Sequence, residues 1–459
     1  MTVKDRYVYF IKGENFMELG SWAIVKLVPL LALIPLLIYI VLSLRGKNNT
    51  WAIILGITAG MFLNGLDLKA MAKSFGTSMS SSTALIGIII MAGAGLGQVM
   101  TEAHVTHTLV YWIVKRIGVN TQTKAKLVLI ICSIVICGLL GTLGGGNAVI
   151  APIMIPVMAS LGITPTVVAI LFKISGEMGL VLGPLTGVTL ITMEVTGLTY
   201  GQLMIQAAVP FAVVFLGGAW VGALRAQERT QGKEAYTLSD DMKNLDEIVV
   251  TKRETVTTIA FLVTFFALVV YGIITKQDTA YALIVMMILI AVVAVFGHIH
   301  AEETITAVVK GVQSQAGMFI IFITIDVLLQ LVTAGGGFTA LGDLLGSFSK
   351  NSPTAVMLIS SLVGGFGIEA AAVAEIKIIA GMFLGAAKAT GLPMGMFAIS
   401  ILCATRLTGS TYPCSNMNGQ MGIAGCDNLK EMLQGCWIAV GFVVVATLIW
   451  SFVGLRVLG

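Results

Sequence analysis

Long uninterrupted apolar runs limit what this chain can become. Residues 22–43, 84–100, 255–273 and 437–453 each approach or exceed the ~20 residues that cross a bilayer core. Only 11% of the 459 residues are charged and 57% are hydrophobic. A soluble domain carries about 25% charged residues, so the polar groups here are too few to cover a water-facing surface of this size. The expected class is a multi-pass protein of the cell membrane, in partnership with the lipid bilayer. The first apolar run follows a mixed-charge stretch and precedes no small-residue cleavage site, so it reads as a span rather than a removed leader.

The sequence also excludes several chemistries. Cys132, Cys137, Cys403, Cys414, Cys426 and Cys436 lack metal-type spacing and fall mostly in apolar stretches, which suits buried thiols. There is no nucleotide-binding loop, zinc motif or hydrolytic triad. The expectation is therefore no enzyme, no cofactor, no metal site and no nucleic-acid partner.

Landmarks recur at an offset of about 230 residues. Trp51-Ala-Ile-Ile-Leu returns as Tyr281-Ala-Leu-Ile-Val, Gly162-Ile-Thr-Pro165 as Gly391-Leu-Pro393, and Gly183-Pro184 as Tyr412-Pro413. The pattern divides the chain into a tail (1–21), a first repeat (22–224), a cytoplasmic linker (225–254) and a second repeat (255–459). Each repeat reads as two spans (22–44 and 51–65; 255–275 and 280–297) and a third (84–100; 315–333). A glycine-centred segment (124–161; 352–390), a helix interrupted by Gly/Pro (164–195; 393–424) and a closing span (203–224; 435–455) follow. If the glycine-centred segments are re-entrant hairpins, each repeat crosses five times. An odd count inverts the second repeat relative to the first. The expected fold is all-α and polytopic, with about ten transmembrane helices plus two re-entrant hairpins in two inverted repeats with broken helices. Basic residues support that topology: Arg45, Lys115, Arg116, Lys124, Arg225, Arg229 and Lys252 all fall on the expected cytoplasmic side.

Polar groups at membrane depth point to function, and irregular backbone survives there only when protein buries it or it lines a cavity. The first hairpin tip, Gly141-Thr-Leu-Gly-Gly-Gly-Asn147, lets backbone approach a ligand, and Asn147 adds an amide. The tip of the second hairpin carries Glu369. In the first interrupted helix Lys173 and Glu177 share a face, and Gly183-Pro184 should free carbonyls for a cation, with Thr186 beside them. In the second, Arg406-Leu-Thr408-Gly-Ser410-Thr411-Tyr412-Pro413-Cys-Ser415-Asn416 is the most polar stretch flanked by apolar sequence. Arg406 lies seven residues before Pro413 and Glu177 seven before Pro184, so the repeats place opposite charges at matching positions. An arginine suits bidentate capture of a carboxylate, or a pair with Glu177 or Glu369. Glu375 and Lys377 follow on the second hairpin arm, and Asp326 sits inside the span 315–333.

This layout is similar to the ion transporter superfamily, which includes gluconate/proton symporters, sodium/proton antiporters and divalent-anion/sodium symporters. The resemblance rests on the element order, Gly144-Gly-Gly-Asn147, the breaks at Gly183-Pro184 and Tyr412-Pro413-Cys-Ser-Asn416, and Gly425-Cys-Asp427-Asn-Leu-Lys430 before the last span. It comes nearest to the gluconate-symporter and related antiporter-like permeases. Gly-Asn-Ala and Gly-Ile-Glu-Ala stand where the divalent-anion branch carries Ser-Asn-Thr. The resemblance implies a homodimer in a bacterial inner membrane, with a transport unit of hairpins and broken helices that moves as an elevator. The function to expect is secondary transport of a small organic anion (a carboxylate or sugar acid) coupled to H+ or Na+. Arg406, Thr408, Ser410, Thr411, Asn147, Asn416 and Thr186 would bind the anion, and Glu177, Glu369, Asp326 and Gly183 the coupling ion. The alternative is a Na+/H+ antiporter with no organic substrate.

Overall fold

The computed structural model describes residues 18–45, 47–236, 250–275, 277–349, 352–362 and 372–458. Among them the chain is helical throughout, without a β-strand; only an isolated bridge joins Gln231 and Glu234. The first half runs α1 (Ile34–Leu44), α2 (Asn49–Leu63), α3 (Leu68–Met79), α4 (Ser82–Glu102) and α5 (Val105–Ile117). A hairpin of α6 (Gln122–Leu140) and α7 (Leu143–Ser160) follows, then a broken helix of α8 (Pro165–Leu182) and α9 (Gly187–Thr196). The half closes with α10 (Tyr200–Thr230). The second half runs α11 (Lys252–Ile274), α12 (Tyr281–Gly297), α13 (Ala301–Ala334) and α14 (Gly337–Ser349). The hairpin arms α15 (Pro353–Leu362) and α16 (Ala372–Ala389), the broken helix α17 (Met394–Thr411) and α18 (Ser415–Ala424), and α19 (Leu429–Leu458) complete it.

Among the described residues 8 helices are long and apolar enough to cross a membrane: α4, α6, α7, α8, α10, α11, α13 and α19. Their starts are set by local chemistry. The hydroxyls of Ser81, Thr121 and Thr251 accept the first orphan backbone N–H groups of α4, α6 and α11. Gly141 ends α6 at φ 66°, a left-handed conformation that glycine alone adopts without strain, and so turns the chain back into α7. At 19 residues α6 is about 28 Å long, close to the thickness of the hydrocarbon core.

Three sequence expectations change. The run 22–44 is not one helix: 3-10 turns at Ile24–Lys26 and Pro29–Leu33 precede the 11-residue α1, because Pro29 and Pro35 withhold backbone donors. The expected span 315–333 is part of the 34-residue α13, which covers what α3 and α4 divide between them in the first half. In the first half Ser80 and Ser81 separate the two by turning their hydroxyls onto the carbonyls of Thr77 and Ser78. The expected linker is also helical at its start, since α10 continues to Thr230. The second hairpin tip, with Glu369, lies outside the described residues, as do residues 237–249 of the linker.

Packing brings the two halves together at one centre. In lipid there is little hydrophobic force between helices, so small residues that admit close backbone approach decide the contacts. A Cβ on Gly179 of α8 would sit 2.5 Å from the Ile134 carbonyl of α6, and one on Gly311 of α13 would sit 2.3 Å from the Ala94 carbonyl of α4. The broken helices are exchanged: α18 lies on α7 and α8, and α9 lies on α16 and α17. Both interruptions therefore face the same interior space.

Candidate functional site

Four buried ionisable side chains meet where the halves cross. Lys173 and Glu177 are one turn apart on α8, and Lys173 Nζ lies 3.0 Å from Glu177 Oε1. The same ammonium donates to Ser410 Oγ of α17 at 2.8 Å. From α17, Arg406 Nη1 approaches Glu177 Oε2 at 3.3 Å. Exposure is 0% for Lys173, 4% for Glu177 and 3% for Arg406. Burying an ion forfeits several kcal/mol of hydration, so such a cluster is retained only where its members compensate one another or serve a ligand. Compensation is incomplete: Arg406 Nη2 has no hydrogen-bond partner among the described residues. Glu375, reaching in from α16, is 4% exposed. It hydrogen-bonds Thr408, and its Oε1 also lacks a partner among the described residues.

Beside this cluster is a cavity of about 500 Å³ walled by Glu177, Glu375, Arg406 and Thr408. Three helix N-termini border it: residues 143–145 of α7, Gly187 and Val188 of α9, and Ser415 and Asn416 of α18; Ala372 and Val373, the first described residues of α16, also line it. Each such terminus presents backbone N–H groups and the positive end of a helix dipole. Ser314, Gln315, Met318 and Phe322 of α13 line another side.

The breaks differ in what they leave open. At the first, Thr186 caps α9 and donates to the carbonyls of Leu180 and Gly183. Thr189 donates to Val181 at 2.9 Å and Tyr200 to Leu182 at 2.8 Å. The carbonyls expected to be free for a cation thus each accept a hydrogen bond from the protein, and the Thr186 hydroxyl is engaged as cap and donor. At the second, Cys414 caps α18 and bonds the Gly409 carbonyl, and Trp437 donates to the Thr411 carbonyl at 2.7 Å. Ser415 and Asn416 are exposed and line the cavity.

The other sequence candidates separate accordingly. Arg406, Thr408, Asn416 and Glu177 are brought together at the cavity. Ser410 holds Lys173 instead, and the Thr411 hydroxyl donates to the Leu407 carbonyl at 2.8 Å. Asn147 is fully buried away from the cavity wall. It accepts from Ser133 at 2.7 Å and donates to the Phe172 carbonyl at 2.8 Å and to Gln420 of α18 at 2.6 Å. It clasps the first hairpin to the second half's broken helix. Asp326 is half-buried at the α4–α13 contact, where Thr83 and Gln330 donate to it at 3.3 and 2.9 Å. It does not reach the cavity. Glu369 lies outside the described residues. Glu375 is the residue whose part sequence reasoning missed: it stands in the sequence as a carboxylate near Lys377, but Lys377 turns away to Glu194, at 2.9 Å.

Comparison with known proteins gives the family and the fold. The family model of the tripartite ATP-independent periplasmic transporter, DctM component, matches residues 128–455, over two thirds of the chain. The chain belongs to the DctM family. The Na+/H+ antiporter family model matches residues 15–223 of this DctM-family chain. No curated protein matches it. Two solved structures share its fold. The YdaH transporter of Alcanivorax borkumensis, a structure described as having an unusual topology, is 16% identical with a TM-score of 0.60 over 85% of this chain and 90% of that one. MtrF of Neisseria gonorrhoeae, from a class of antimetabolite efflux pumps, is 15% identical with a TM-score of 0.60 over 85% of this chain and 84% of that one. This DctM-family chain is a secondary membrane transporter, not an enzyme.

Proposed function

We propose that the chain carries a small organic anion, a carboxylate or sugar acid, across a cell membrane, coupled to the downhill movement of H+ or Na+. The observation that carries this reading is the convergence on one cavity of three helix N-termini and Arg406, whose Nη2 has no partner among the described residues. Those groups are all donors or positive, which fits a carboxylate and repels a bare cation. Arg406 anchors the carboxylate, and Thr408 and Asn416 hydrogen-bond the rest of the molecule. The hairpins and broken helices form the moving unit, on the elevator pattern, and α4, α10, α13 and α19 supply the scaffold of a homodimer in a bacterial inner membrane. The recurrence of hairpin and broken helix in the two halves supports two repeats of inverted topology.

A panel of carboxylates and sugar acids is added to the purified protein, and thermal stabilisation is measured. At least one should stabilise the wild type, and Arg406→Ala should lose that response while staying folded. Stabilisation of the variant to the wild-type extent overturns the reading. A second reading, Na+/H+ antiport without an organic substrate, is favoured by the match of residues 15–223 to the Na+/H+ antiporter family. Sodium-driven proton flux in proteoliposomes, with no response to any carboxylate, selects it.

A further inference from the structure

We infer that Glu375 is the coupling-proton site of this transporter, and that one proton on Glu375 enters the cavity with each monocarboxylate. The inference rests on the anion-transport reading above and adds the identity of the coupling ion, its residue and the charge class of the substrate.

Charge balance around the cavity is the first support. Lys173 and Arg406 are cationic, and Glu177 lies within 3.0 Å of the first and 3.3 Å of the second. With Glu375 ionised, the buried cluster is neutral and an incoming anion adds an uncompensated charge. With Glu375 protonated, the cluster carries one net positive charge, which a single carboxylate cancels. An unpaired charge is expensive in a water-poor interior, so the neutral combination is the one that binds.

Geometry is the second. Glu375 makes no ion pair among the described residues, although Arg406 and Glu177 line the same cavity and are near enough to act on its charge. Thr408 engages one side of its carboxyl, and the buried Oε1 has no partner among the described residues. Protonated, Oε1 becomes a hydrogen-bond donor on a residue that lines the cavity. Of the other charged groups on helices packed against α16, Glu194 of α9 holds Lys377 at 2.9 Å, Asp326 of α13 accepts from Thr83 and Gln330, and Asp343 of α14 is exposed.

Third, among the described residues the carbonyls freed at the helix breaks already accept hydrogen bonds from the protein. A hard cation needs several oxygen ligands. The carbonyls of Leu180, Val181, Leu182 and Gly183 at the first break are already hydrogen-bonded, as are those of Gly409 and Thr411 at the second.

The transport step follows. On one face Glu375 takes a proton, and its O–H and the Arg406 guanidinium together hold the carboxylate. On the other face the carboxylate leaves, and the proton is released to water from Glu375, restoring the neutral cluster. Charge is conserved and no net charge crosses.

The test measures dissociation constants of gluconate and lactate for the purified full chain across pH. Wild-type affinity should fall about tenfold per pH unit once Glu375 begins to ionise. Glu375→Gln, isosteric and permanently neutral, should bind the same carboxylate with no such slope. In proteoliposomes Glu375→Gln should exchange labelled substrate but fail to accumulate it down an imposed pH gradient. A wild-type slope of zero, the same slope in Glu375→Gln, or wild-type affinity that rises with Na+ at fixed pH overturns the inference while leaving anion transport standing. Failure of both acids to bind the wild type at any pH removes this inference for monocarboxylates. If the wider carboxylate panel fails as well, the anion reading falls with it.

Discussion

At the first helix interruption, Gly183-Pro184 frees four carbonyls, and Thr186, Thr189 and Tyr200 take them up from within the same half of the chain. At the second, Tyr412-Pro413 is followed by Ser415 and Asn416, which stay exposed to the cavity, and is preceded by Arg406 with an unpartnered nitrogen. The two interruptions look alike in sequence, and both supply a half-helix whose N-terminus borders the ligand space. They differ in their side chains. The first is closed on itself and holds the backbone in shape, whereas the second presents exposed polar side chains to the cavity. A duplicated scaffold thus supports one rigid and one receptive element.

Arg406→Ala should break this contrast most severely. Ligand-dependent stabilisation and uptake should vanish, and unfolding free energy should fall by about 3–5 kcal/mol, because Glu177 loses one of its two cationic partners. Equilibrium unfolding and carboxylate binding measured on one preparation would separate the two effects. Next is Asn147→Ala, which leaves the Phe172 carbonyl and Gln420 without their partner. A loss of about 1–3 kcal/mol is expected, with affinity for the anion unchanged at temperatures where the protein is folded. A clear loss of affinity in the folded variant would return Asn147 to the binding set.

Thr186→Val and Asn416→Ala compare the interruptions directly. The first should lower stability by about 1 kcal/mol through loss of the cap while the dissociation constant stays put. The second should leave stability within about 0.5 kcal/mol and weaken carboxylate binding about tenfold. The reverse pattern would assign the receptive role to the first interruption. The smallest effect is expected for Lys377→Ala. Its pair with Glu194 is partly exposed, so unfolding should change by less than about 1 kcal/mol and transport should persist.

Much of this was legible in the sequence. Apolar run lengths gave the membrane class, glycine and proline gave the hairpin turn at Gly141 and both interruptions, and a charge in a polar stretch singled out Arg406 and Glu177. These signals are local: a proline breaks a helix wherever it sits, and a charge in an apolar span is conspicuous without a neighbour. Two kinds of feature were not legible. The first run, 22–44, was misread because its prolines matter more than its hydropathy. Ser410, Thr411, Thr186 and Asn147 carry the right atoms for a ligand, but a hydroxyl or amide close to unsatisfied backbone or an ammonium bonds that first.

The amino-acid order by itself determined a helical membrane transporter with two halves, two broken helices and opposite charges ahead of the breaks. Tertiary structure alone decided that α9 and α18 exchange halves and meet, that Glu177 sits between Lys173 and Arg406, and that Glu375 reaches the same cavity while Lys377 does not. Helix breaks and hydropathy are encoded over a few neighbouring residues. Which buried charges share a space depends on close backbone contacts, such as those at Gly179 and Gly311, between segments far apart in the chain.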